Sequence, residues 1–327
     1  MSHQETSSGS TVRGSAPVVA AVVVSFNRRE LLASTLAGIA AGVRRPDIVV
    51  VVDNASTDGS ADFVREGDFG LSVDLVELGT NVGGAGGFAV GMERAVLTHH
   101  ADLVWVMDDD TEPQEHTLSA LLTAWESYSA DPASRPSVLA SKVLWTDGRE
   151  HPMNTMRTRF LASPGQRRRA ELVGGRPIRS ASFVSCMLDA AVIRELGLPV
   201  VDYFIWVDDF EHTMRLSRDH DAIQVPASQA LHHTKRFGGF DFDPGPRFYN
   251  EVRNRLWTYT RSRALKPWEL PLYAASTVRF WTGTLLRSQD RRQLLDCLRR
   301  GIRDGIRAPR SNREALEGIY PLRSLES

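Results

Sequence analysis

The chain has 327 residues, of which 42% are hydrophobic and 24% charged, enough apolar side chain to bury a large core and too much for a disordered or fibrous protein. A formal net charge of −1 gives no global attraction to nucleic acid or to a strongly acidic partner. Two cysteines, Cys186 and Cys297, exclude a disulfide framework and fit a reducing cytoplasm.

Residues 1–16 are rich in Ser, Gly and Thr, lack the apolar core of a signal peptide, and are expected to form a disordered leader. Residues 17–25, almost wholly Val and Ala, read as a buried strand. Asn27, three residues before Glu30, resembles a helix-start pattern, and Leu32, Leu36, Ile39 and Ala40 follow at helical spacing. A second β-branched run at 47–52 ends in the turn formers Asp53-Asn54-Ala55-Ser56-Thr57-Asp58-Gly59, with a short helix expected over 60–65 and a strand over 73–78. Residues 83–98 start glycine-rich and end as a helix; 102–107 read as a strand, 113–128 as a helix with Pro113 in its first turn, and 138–145 as a strand. Strands separated repeatedly by helices predict βαβ units, hence an α/β fold with a mostly parallel sheet and ligands at the C-terminal strand edges.

Residues 147–180, rich in Arg and Gly, read as a mobile loop or short hairpin over such a site. A strand is expected at 183–188, then a helix through Leu196, a helix from Asp208-Asp209 through Leu216, and a strand at 222–225 shortly before His232-His233. From Arg247 onward the chain is helical and Arg-rich, with Leu294, Leu295, Leu298 and Ile302 at helical spacing. This basic amphipathic stretch suits an anionic membrane surface or a solvated face packed on the domain. Residues 270–286 are interrupted by Pro271, Thr277, Arg279 and Thr282 and make a poor membrane span.

The chemistry concentrates in Asp108, Asp109 and Asp110, at the exit of an apolar strand. Three adjacent anions repel one another unless a cation sits among them. On an extended chain Asp108 and Asp110 face the same way, able to share one Mg²⁺ or Mn²⁺ while Asp109 points elsewhere; the alternative is an acidic turn in solvent. The segment Asn81-Val82-Gly83-Gly84-Ala85-Gly86-Gly87-Phe88 is neither a Walker loop nor a complete dinucleotide fingerprint. It lets the backbone at Asn81, Gly83 and Gly84 approach a ligand at a helix N-terminus, or lets the helix pack tightly on the sheet. Asp208 and Asp209 open a helix, as a general base with its neighbour or as a capping pair.

In order and spacing, Val22-Val23-Val24-Ser25-Phe26-Asn27, the Asp53 to Gly59 run, the Asn81 to Phe88 run, Met107-Asp108-Asp109-Asp110 and Trp206-Val207-Asp208-Asp209 resemble a family 2 inverting glycosyltransferase of the GT-A fold, over roughly residues 17–262. With Arg253-Asn254-Arg255 they are similar to the actinobacterial galactofuranosyltransferases of cell-wall galactan synthesis, and the length resembles the initiating type. The resemblance implies a GT-A domain at 17–245 and a basic helical region at 246–327. It implies that Asp53 contacts the donor nucleoside, that Asp108, Asp110 and His232 (or its neighbour His233) hold Mn²⁺ or Mg²⁺, and that Asp209 is the base beside Asp208. Asn81, Gly83, Gly84 and Asp109 are expected on the donor wall. Trp206 is an acceptor-stacking candidate, although the polymerases of this group carry a Trp one residue nearer the acid pair. The implied substrates are UDP-galactofuranose and a polyprenyl-diphosphate-linked disaccharide of GlcNAc and rhamnose, handled at the inner face of the membrane. Rhamnosyltransferases using dTDP-rhamnose share much of the pattern and are the alternative.

Overall fold

The computed structural model describes residues 16–154, 156–234, 237 and 243–325, so the leader expected at 1–16 lies outside them except for Ala16. The first apolar runs form strands β1 (Val19–Ser25), β2 (Ile48–Asp53), β3 (Val73–Glu77) and β4 (Leu103–Asp108). Helices α1 (Arg29–Ala41), α2 (Ser60–Glu66) and α3 (Gly83–Leu97) connect them, and the strands run parallel in the order β3-β2-β1-β4. Burial of the strands on both faces explains their near-continuous valine. Val22, Val24, Val50, Val52 and Val106 pack towards α3, whereas Val23, Val51, Trp105 and Met107 pack towards α1 and the helix after β4.

Pro113 does not open that helix. Residues 111–113 form β5 (Thr111–Pro113), antiparallel to the last strand, and α4 (Thr117–Tyr128) begins only afterwards. Pairing to a distant strand overrides the local helix signal there. β6 (Val138–Leu144) follows as expected. Segment 147–180 is more ordered in form than a loop: it holds β7 (Arg157–Thr158), α5 (Pro164–Leu172) and β8 (Arg176–Ser180). β7 and β8 make the expected hairpin, with α5 inserted between them under a Ser163–Gln166 capping box. Its polarity hid it, because α5 buries only Ala170.

β9 (Cys186–Asp189) lies antiparallel between β4 and β6, and α6 (Ala190–Leu196) and α7 (Asp208–Leu216) follow. β10 (Ala222–His232) runs parallel to β6 and is much longer than the strand expected at 222–225. It continues past an irregularity in register between Val225 and Gln229, so His232 is its last residue.

Helices α8 (Phe248–Thr260), α9 (Glu269–Arg287), α10 (Arg291–Gly305) and α11 (Asn312–Ala315) complete the chain. α10 packs on α8 through buried Leu294 and Cys297, and Gly301 permits close approach, since a Cβ there would lie 2.7 Å from Val252. Leu295, Ile302 and Ile306 remain exposed. Among the described residues no helix is long and apolar enough to cross a membrane. Both cysteines are free and buried.

Candidate active site

The parallel strands end together. Register sets Ser25 beside Asp53 and Val24 beside Asp108, so the C-terminal ends of β1, β2 and β4 share one edge. A cavity of about 2120 Å³ opens there, lined by the Asp triplet and by Trp206, Asp208 and Asp209. The fold has thus brought two carboxylate clusters, distant in sequence, to one site. Burial raises the Asp108 carboxyl well above its ordinary range, and the charges of Asp110, Asp109 and Asp208 raise it further.

The cation among these acids is Arg28, which sequence reasoning did not single out. Its guanidinium lies 3.3 Å from Asp109 Oδ1 and forms an ion pair with Asp110. Asp109 Oδ2 accepts from the Ser25 hydroxyl at 3.1 Å and the Phe26 amide at 3.0 Å, so this carboxylate ties down the chain leaving β1. Burial pushes Asp109 up to about 6 despite Arg28. Burial also pushes Asp110 up, but His232 and Arg28 together bring it below the ordinary range. Asn27, expected to cap α1, instead accepts from the Thr57 amide at 2.7 Å and joins the loops after β1 and β2.

The two histidines at the end of β10 part company. His233 lies 2.7 Å from Glu112 Oε2. His232 Nε2 lies 3.2 Å from Asp110 Oδ1, a buried atom without a hydrogen bond. His232 Nδ1 lies 2.9 Å from Asn154 Oδ1, and Asn154 Nδ2 donates to Ser182 Oγ at 2.9 Å. With the Asn amide so oriented, Nδ1 carries a proton and Nε2 is the nitrogen turned towards Asp110, to pair with the carboxylate when protonated or to share a cation with it when not. Nothing in segment 147–180 marked Asn154 for this role, because its contact exists only once the segment folds beside β10.

Among the described residues no three His, Cys, Asp or Glu side chains gather closely enough to hold a metal by themselves. Asp110 and His232, with Asp108 nearby, fit a hard divalent ion whose other positions are filled from outside the protein, as phosphate oxygens would do.

The glycine segment divides between the two expected roles. Gly87 and Gly91 serve packing, since a Cβ would come within 2.5 Å of Val24 and 2.3 Å of Val22. Gly83 has φ 75°, and a Cβ there would lie 2.0 Å from the Phe204 carbonyl oxygen. Gly84 lines the cavity, and a Cβ there meets nothing within 4 Å. Asn81 also lines the cavity and accepts from the Gly83 amide at 2.8 Å. Asp53 lies behind the wall formed by Asn54; its Oδ2 accepts from the Ser56 amide at 2.9 Å, and its buried Oδ1 has no partner.

Asp208 and Asp209 are the first residues of α7. Burial raises both carboxyls, Asp209 to about 6 and Asp208 to about 8, the latter also through the charge of Asp209. The Phe210 amide and the nearby Arg255 guanidinium hold Asp209 the lower of the two. Trp206 is half-buried against Tyr203, Val207 and Phe210 and lines the cavity.

This is the fold of the GT-A transferases, and the chain belongs to Glycosyl transferase family 2, whose pattern it matches over residues 20–196. It is therefore a glycosyltransferase enzyme. It is 30% identical over 308 residues to galactofuranosyltransferase GlfT1 of Mycobacterium tuberculosis strain H37Rv, covering 86% of this chain and 93% of that one. It is 34% identical over 215 residues to galactofuranosyltransferase GlfT1 of Mycolicibacterium smegmatis, covering 62% of this chain and 66% of that one, a little under two-thirds of its length. Solved structures share the fold. S. aureus TarS 1–349 with UDP-GlcNAc superposes with TM-score 0.61 at 17% identity over 88% of this chain and 81% of that one. GalNAc-T7 with UDP, GalNAc and Mn²⁺ gives 0.57 at 15% over 93% and 56%.

Proposed function

We propose that the protein transfers galactofuranose from UDP-galactofuranose to a polyprenyl-diphosphate-linked acceptor of GlcNAc and rhamnose, with inversion, and so initiates a cell-wall galactan. The observation that carries this reading is the meeting of both carboxylate clusters in one cavity, in a chain 30% identical over 308 residues to a protein named galactofuranosyltransferase. The cavity, about 2120 Å³, is larger than the ~300–1,000 Å³ of a site for one small ligand and suits a donor together with an acceptor head.

Residues 17–245 form the catalytic unit in this reading, and 246–327 a basic helical region applied to it. Asn81, Gly84 and Asp109 belong to the donor wall, and Asp53 stands behind it, fixing the loop after β2 through the Ser56 amide rather than reaching the nucleoside itself. Asp108, Asp110 and His232 would hold Mn²⁺ or Mg²⁺, which when bound offsets the charge of the departing diphosphate. Asp208 keeps its proton near neutral pH, leaving the negative charge of the pair on Asp209. Asp209 takes the proton of the acceptor hydroxyl, whose oxygen forms a bond to the anomeric carbon from the face opposite UDP. The anomeric carbon–oxygen bond breaks and UDP leaves with its electron pair, so one displacement inverts the centre. Trp206 offers an apolar face to the acceptor sugar.

The test supplies UDP-galactofuranose or dTDP-rhamnose with a lipid-linked acceptor, followed by linkage analysis of the product. Turnover with the uridine donor is expected; turnover with the thymidine donor alone replaces galactofuranose by rhamnose.

The same reading places the protein peripherally on the inner leaflet. On α10 and its C-terminal cap Ile306, exposed Leu295, Ile302 and Ile306 recur along one helical stripe beside exposed Arg292, Arg299 and Arg303. Replacing the three apolar residues by Ser is expected to weaken binding to anionic vesicles on the order of 10-fold. Turnover of a short soluble acceptor should be unaffected. Equal vesicle binding by the variant rejects the membrane face. Deleting residues 288–310 is a poorer test, because it also strips the cover from α8.

A further inference from the structure

The loop before α7 is held in a conformation that its residues disfavour. Phe204 has φ 61° and ψ −64°, with the Ile205 amide donating back to the Tyr203 carbonyl at 2.7 Å. That is a γ-turn of the hand that L-residues rarely adopt. Trp206 and Val207 follow with φ 68° and 70°, outside the regions comfortable for bulky and β-branched side chains. Phe204, Ile205 and Trp206 line the cavity between the glycine segment and Asp209.

A single buried amide grips this loop from α8. Asn254, fully buried, sets its Nδ2 at 2.8 Å from the Tyr203 carbonyl oxygen, 3.2 Å from that of Ile205 and 2.7 Å from that of Trp206. Its neighbour Arg253 donates to the carbonyls of Asp202 at 2.7 Å and Tyr203 at 3.2 Å. The remaining carbonyl, that of Phe204, accepts from the Ala85 amide at 3.2 Å, an approach possible only because Gly83 has no Cβ. Every carbonyl from 202 to 206 is therefore engaged, and the chain enters α7 at the angle that turns Asp208 and Asp209 onto the cavity.

We infer that Asn254 is a positioning residue for the reaction: it holds the strained 203–207 loop so that Asp209 faces the acceptor. The inference rests on Asp209 being the base. Without the amide, the Ile205 and Trp206 carbonyls lose this donor, the Tyr203 carbonyl keeps only the Ile205 amide and Arg253, and the unfavourable dihedrals relax, displacing Asp209 while the donor wall on β1, β2 and β4 stays in place.

The test is Asn254→Asp, which keeps the shape but removes the N–H donors. The expected result is native stoichiometry and affinity for UDP by titration calorimetry, with kcat at saturating donor lowered on the order of 10–100-fold. A kcat within about 2-fold of native overturns the inference, as does a loss of kcat matched by an equal fall in UDP stoichiometry, which marks unfolding alone. Asn254→Ser, which adds no charge, supplies the same comparison should the carboxylate prevent folding. Asp209→Asn, measured alongside, separates the two readings. If it retains turnover, the base assignment fails whatever Asn254 does. If it is inactive while Asn254→Asp is near native, only the positioning role fails.

Discussion

Asp209→Asn is expected to bind UDP with native stoichiometry and to lose sugar transfer by roughly 10²–10⁴-fold, the usual contribution of a general base. The substitution preserves shape and removes the proton acceptor. Burial raises the Asp209 carboxyl to about 6, so the native enzyme should show the matching pH dependence. Below that value the carboxyl is protonated and cannot accept; above it the anion is available. Transfer at low acceptor concentration should therefore fall as pH drops through about 6 and level off above it. Near-normal turnover in Asp209→Asn, or a flat profile across this range, removes Asp209 as the base.

Asp110→Ala is expected to abolish the Mn²⁺-dependent part of UDP binding. Within the triplet Asp110 touches both Arg28, on one oxygen, and His232, at 3.2 Å from the other. Truncation leaves His232 Nε2 facing an empty space and Arg28 with Asp109 as its remaining ion-pair partner in the triplet. Calorimetric titrations of UDP with and without Mn²⁺ should then coincide. The affinity lost with Mn²⁺ present should be at least ~100-fold, or about 2.7 kcal/mol. An unchanged Mn²⁺-dependent heat counts against metal binding at this triplet. His233→Ala is the control, because His233 is paired with Glu112.

Both predictions concern residues legible in the chain itself. The apolar run ending in Asp108-Asp109-Asp110 announced a strand edge carrying charge, and the regular alternation of strands and helices located that edge at the mouth of a parallel sheet. Register then placed Asp108 beside the end of β1, on the sheet edge it shares with Asp53 at the end of β2, as that alternation implies. What the sequence left open was decided by contacts between distant segments. His232 and His233 are chemically identical neighbours, and only the pairing of β10 with β5 sets one against Asp110 and the other against Glu112. Pro113 carries a helix-start signal that the same pairing overrides.

The cation that three adjacent aspartates require is Arg28, separated from them by some eighty residues and distinguishable in sequence from no other arginine. Asn154 is equally unmarked, and Asn254, although it stands in the Arg253-Asn254-Arg255 run, carries no sign of its contacts, since a buried amide acts through the carbonyls and ring nitrogens that folding brings to it. Local hydrophobic period and turn chemistry thus determined the α/β class, most of the elements and the acidic residues of the site. The tertiary structure alone decided their partners, because hydrogen bonds and ion pairs act over about 3 Å, and only the folded chain sets which groups lie that close.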